Sequence, residues 1–92
     1  MPHTLSAKKR LRQNLRRRVR NRAIKSRIRT AERRFREALA AADLEAARAA
    51  FRRAQKLLLR AANNGPIHRN FAARHISRLQ QRLNEAEKKA GA

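Results

Sequence analysis

The stretch from Ser26 to Phe51, "SRIRTAERRFREALAAADLEAARAAF", contains neither Gly nor Pro, and the fold turns on whether it is one helix or two. Ile28, Ala31, Phe35, Ala38 and Ala42 recur at spacings of three and four, with Leu39 beside them. That spacing makes an apolar seam along one face of a helix. A second seam, Leu44, Ala47, Phe51, Ala54, Leu58 and Ala61, follows at once. Drawn on one continuous helix, it lies roughly 130° from the first. The register therefore slips between Leu39 and Leu44. Asp43 is suited to N-cap a new helix, and Glu45 in its first turn is favoured by the helix dipole. A tight antiparallel hairpin is expected at about Ala41 to Asp43.

Downstream, "ANNGPIH" supplies Asn63, Asn64 and Gly65 to end the second helix and Pro66 to open a third at its first turn. Ala72, Ile76, Leu79, Leu83 and Ala86 form a third seam, before Lys88, Lys89 and Gly91, which are expected to fray. Upstream, good helix formers run back to Ser6, whose hydroxyl suits an N-cap. The expectation is an all-α, single domain over residues 1–92, an up-down-up three-helix bundle with helices at about 6–41, 43–63 and 66–89. The first would be about 54 Å long and its partners about 30 to 36 Å, so its N-terminal half overhangs. Leu11, Leu15 and Val19 form a narrow apolar row roughly opposite the Ile28 and Phe35 seam. The two halves of this helix cannot face the same partner.

With three Phe and no Trp or Tyr in 92 residues, the core must be Leu, Ile, Val and Ala. Such a bundle is slim and modestly stable. Twenty-six Lys and Arg stand against six acids, a formal charge of +20. Charge of this size points to a polyanionic partner. Absence of Cys excludes disulfides and thiolate metal sites and is compatible with a reducing compartment. No apolar run approaches the roughly 18 residues a membrane span needs, and no secretory h-region follows the N-terminal charges. An Arg-rich, acid-poor N-terminus also invites a mitochondrial transit peptide, but here the charges fall all the way round the helix rather than on one face.

Ser6 to Arg34 holds fourteen Lys or Arg and one acid, Glu32. Its cations are Lys8, Lys9, Arg10, Arg12, Arg16, Arg17, Arg18, Arg20, Arg22, Lys25, Arg27, Arg29, Arg33 and Arg34. A block of like charge weakens an isolated helix, so solvated surface is a poor account of it, whereas it suffices for Arg48 or Arg52 in the second helix. A membrane-surface helix would carry its cations on one side. Folded RNA instead offers phosphates around a cleft, and the guanidinium fork matches phosphate oxygens. Asn14, Asn21, Ser26 and Thr30 can add neutral hydrogen bonds to sugars, phosphates or base edges.

A second patch opens the third helix, where His68, Arg69, Asn70, Arg74, His75, Ser77 and Arg78 cluster near a helix N-terminus that favours anions. Two His seven residues apart, with no Cys, make a poor metal site. Aromatic platforms for stacking single-stranded bases look absent, because the seams claim Phe35 and Phe51. Sequence-tolerant binding to structured RNA fits better. No catalytic constellation or Gly-rich loop is present, so neither an enzyme nor a small-molecule substrate is expected, and no cofactor or metal either.

"SAKKR" at 6–10, "RNRAIKSRIRT" at 20–30 and above all "GPIHRNFAARHISRL" at 65–79 resemble the family of the twentieth bacterial small-subunit ribosomal protein, in the same order and over nearly the whole chain. The resemblance implies a three-helix bundle with an elongated first helix, bound to 16S ribosomal RNA in the body of the small subunit and clamping RNA elements early in assembly. It implies RNA contacts at Ser6, Lys8, Lys9, Arg10, Asn21, Lys25, Ser26, Arg29 and Thr30, and at His68, Arg69, Asn70, Arg74, Ser77 and Arg78. Three positions depart from the family pattern: Ile76 and Leu5 stand where Lys is usual, and Ala42 where the hairpin often has Gly. The expected setting is the cytoplasm, in the ribosome, with no membrane contact and no homo-oligomer. From composition alone, a DNA-compacting nucleoid protein and a basic module docking on an acidic protein or membrane are the alternatives.

Overall fold

The computed structural model describes residues 4–91; residues 1–3 and 92 of the expected domain lie outside them. Three helices follow in order: α1 (Leu5–Ala40), α2 (Leu44–Asn64) and α3 (Arg69–Gly91). They form the expected up-down-up arrangement, with α2 packed against both α1 and α3.

The N-cap of α1 is Thr4 rather than Ser6. The extended backbone of Thr4 presents its hydroxyl oxygen to the Ala7 N–H at 3.1 Å, and its carbonyl accepts from Lys8 N–H at 3.0 Å. Both residues are competent caps, and capping from Thr4 leaves Ser6 in the first turn, its Oγ 3.3 Å from Thr4 Oγ1.

The hairpin at 41–43 is a Schellman closure. Asp43 N–H donates to the Ala38 carbonyl at 3.0 Å and Ala42 N–H to the Leu39 carbonyl at 3.1 Å. Ala42 stands at the left-handed position with φ 57°, a conformation that costs an L-residue and favours Gly. Ala42 is thus an exposed turn residue rather than the last member of the first seam. Asp43 Oδ1 then accepts from Ala46 N–H at 3.1 Å, capping α2 as expected. At the other end Gly65, φ 97°, closes α2 through its N–H to the Ala61 carbonyl at 3.0 Å.

Pro66 does not open α3. The half-buried Ile67 packs against the core first, and His68 begins the helix, its Nδ1 accepting from Asn70 N–H and its carbonyl from Ala72 N–H, both at 3.1 Å. At the far end Lys88 and Lys89 remain helical instead of fraying. Cations in a last turn meet the negative end of the helix dipole, which favours the extra turn.

All three seams converge. Ile28, Ala31 and Phe35 of α1, Ala47, Phe51, Ala54, Leu58 and Ala61 of α2, and Ala72, Leu79 and Leu83 of α3 form one buried cluster. The Phe35 and Phe51 rings meet at 6.2 Å with a 51° tilt, a geometry that favours edge-to-face contact. Because so many core residues are Ala, the bundle is narrow: the molecule measures 67 × 22 × 16 Å. The 36 residues of α1, about 54 Å of helix, account for most of its long dimension. The first residue of α1 to pack on the core is Ile24, and the overhanging Leu11, Leu15 and Val19 are 49%, 51% and 70% exposed.

Candidate nucleic-acid interface

Every Lys and Arg of α1 from Lys8 to Arg34 is exposed: ahead of Ile24 the helix lies beyond the core, and after it the cations fall off the face that buries Ile28, Ala31 and Phe35. The side chains divide the helix surface into grooves that differ in direction. Asn14, Arg17, Arg18, Asn21, Arg22, Lys25 and Arg29 line one of about 510 Å³. Lys9, Arg12 and Arg16 line another with Gln13. Ser26, Arg29, Thr30 and Arg33 share a third with Arg36. Arg27 faces the C-terminal end of α2, where Arg60 joins it. Arg10, Arg20 and Arg34 are exposed outside these grooves.

Some polar groups are already engaged. Thr30 donates its hydroxyl proton to the Ser26 carbonyl at 3.0 Å, which leaves lone pairs free to accept but no donor. Arg33 Nε lies 3.7 Å from Glu37 Oε1 in an exposed pair of the kind that contributes little. Arg48, expected only as a solvated cation, instead joins α2 to α3 through Glu87 at 2.8 Å.

The start of α3 lies beside the middle of α1, so the two sequence patches meet. Lys25, Arg29 and Glu32 of α1 line a cleft of about 530 Å³ with His68 and His75. His75 Nδ1 lies 2.8 Å from Glu32 Oε1, a part-buried link between α1 and α3. Arg69, Asn70, Arg74, Ser77 and Arg78 are exposed along α3 and do not line this cleft.

Helix dipoles sharpen the picture. Only α2 begins with acids, Asp43 at its cap and Glu45 in its first turn. Neither α1 nor α3 has an acid in its first turn, and Arg69 occupies the first position of α3. A cation at a helix N-terminus is repelled by the dipole unless an anion sits with it.

Sequence reasoning missed Arg60, which belongs to the solvated part of α2 by sequence and is drawn in only by the antiparallel packing. It also missed Phe71, which is 39% exposed and stacks on His75 with ring centroids 4.1 Å apart. The available signal was helical phase, because Phe71 falls about 100° away from the Ala72, Leu79 and Leu83 seam. Among the described residues no group of three or more His, Cys, Asp or Glu could hold a metal ion. Among the same residues no helix is long and apolar enough to cross a membrane.

The chain is similar to known proteins along almost its full length. A family model described as ribosomal protein S20 matches residues 2–84. A small ribosomal subunit protein bS20 from Rhodopirellula baltica is 52% identical over 90 residues, covering 98% of this chain and all of the relative. The proteins of the same name from Persephonella marina and Phenylobacterium zucineum are 49% and 48% identical, covering 95% and 92% of this chain and 95% and 96% of theirs. The chain belongs to the ribosomal protein S20 family.

Proposed function

We propose that the chain is a structural constituent of the small ribosomal subunit that binds 16S ribosomal RNA directly and stabilises the RNA fold during assembly, acting in the cytoplasm as part of the ribosome. As a member of a ribosomal protein family it is not an enzyme. The relatives' name places those proteins in the small subunit, and the chemistry of this chain suits an RNA partner.

One observation carries the reading. Among the described residues the N-terminal half of α1 lies outside the core, and it exposes cations on every side. A flat anionic surface would leave most of them unmatched, whereas RNA strands converging around the helix would match them together. The acid-free starts of α1 and α3 fit the same partner, since phosphates there would offset both the side-chain charge and the dipole. The protein's part is then to neutralise phosphates that would otherwise hold RNA elements apart, while the bundle fixes the angle between α1 and the start of α3.

The chain contains no Cys, which makes directed cleavage straightforward. Arg17→Cys and Arg74→Cys variants carrying a tethered hydroxyl-radical source, assembled into small subunits, should each cut 16S rRNA at discrete nucleotides. Absence of cuts from either position would refute direct contact.

A further inference from the structure

The cleft between α1 and the start of α3 has walls unlike those of the basic grooves. Ile28, Pro66, Ile67 and Phe71 give it an apolar lining, and Lys25 and Arg29 stand on its α1 side. These same two cations also line the long groove that runs back along the overhang, so the cleft continues that groove. Its volume of about 530 Å³ lies within the roughly 300–1,000 Å³ of small-ligand sites. Phe71 is held rather than loose: His75 stacks on it at 4.1 Å and 29°, and Glu32 fixes that imidazole at 2.8 Å. An aromatic ring locked at the edge of an apolar cleft beside two cations is suited to stack a base while the cations hold its phosphate.

We propose that this cleft receives one unpaired base of the bound RNA, stacked against Phe71, with the adjoining phosphate on Lys25 and Arg29. The inference rests on the RNA-binding reading above and adds a defined nucleotide site to it. A scaffold otherwise suited to phosphates and RNA shape thereby gains one point that requires an extruded base. Register along the RNA would be set there, while the overhang supplies charge.

The full-length chain provides the test, because it lacks Trp and Tyr and a Phe71→Trp variant would carry a single strong fluorophore. Titration of that variant with 16S rRNA should quench the indole and shield it from acrylamide. Phe71→Leu, which keeps apolar bulk and removes the stacking face, should weaken 16S rRNA binding roughly tenfold while leaving the salt dependence unchanged. Phe71→Ala should do the same with helicity retained. Equal affinity of Phe71→Leu and the unsubstituted chain, or an indole that stays unquenched on saturating RNA, overturns the base site and leaves RNA binding intact. Quenching that arises only in the assembled subunit gives the cleft to a neighbouring protein and also overturns it. Failure of the unsubstituted chain to bind 16S rRNA would instead remove the reading on which the site rests.

Discussion

His75 of α3 and Glu32 of α1 meet at 2.8 Å, with 30% and 14% of their side chains exposed, and this contact joins the two helices that carry the candidate interface. Glu32 is the sole acid between Ser6 and Arg34. Within so basic a segment, its place is explained by its partner across the bundle. A double-mutant cycle of Glu32→Gln and His75→Ala should give a coupling of about 0.5 to 1.5 kcal/mol from unfolding midpoints. Additive losses would mean that the contact does not couple α1 to α3.

The core offers few large groups, so each matters. Phe35 is fully buried and packs on Phe51. Either Phe→Ala change should cost about 3 to 5 kcal/mol, lowering Tm by roughly 10 to 40 °C for a domain of this size. Thermal melts followed by circular dichroism provide the check. Saturating 16S rRNA should recover part of the loss, because a ligand that binds only the folded chain stabilises it.

Ala42 occupies a left-handed position that closes the hairpin. Replacing it with Gly should stabilise the chain by about 0.5 to 1 kcal/mol, since relief of the Cβ strain exceeds the added unfolded-state entropy. Unfolding midpoints of Ala42→Gly should rise, and those of Ala42→Val should fall.

Arg16, Arg17 and Arg18 lie on the overhang and are exposed. Changing all three to Ala should leave the core and the cooperative melt in place while weakening 16S rRNA binding. The slope of log affinity against log salt should fall by about 2 to 3 units if each meets a phosphate. Loss of the cooperative melt would show that the overhang contributes to the bundle after all.

Much of this molecule could be read from apolar spacing. The seams through Phe35, Phe51 and Leu79 have helical period, and core packing depends on that period directly. Asp43 and Gly65 were legible because each has one chemical reason to stand at a helix end. The cap at Thr4 was not, since Thr4 and Ser6 compete with equal chemistry two residues apart. The late start of α3 escaped too, because Ile67 had to find the core before the helix could begin, and that depends on where α1 and α2 leave space. The exposed cations of α1 followed from charge density alone. The meeting of Lys25 and Arg29 with His68, the recruitment of Arg60, and the locked ring of Phe71 all depend on packing between helices, which no local pattern encodes.

The central claim is that the basic overhang and the start of α3 together bind folded small-subunit RNA. A titration of the full-length chain against 16S rRNA and against duplex DNA, repeated across a range of salt, tests it most directly. The account predicts a steep fall in affinity with salt, worth several phosphates, and a preference for 16S rRNA that persists at high salt. Equal affinity for the two nucleic acids at every salt concentration would contradict it.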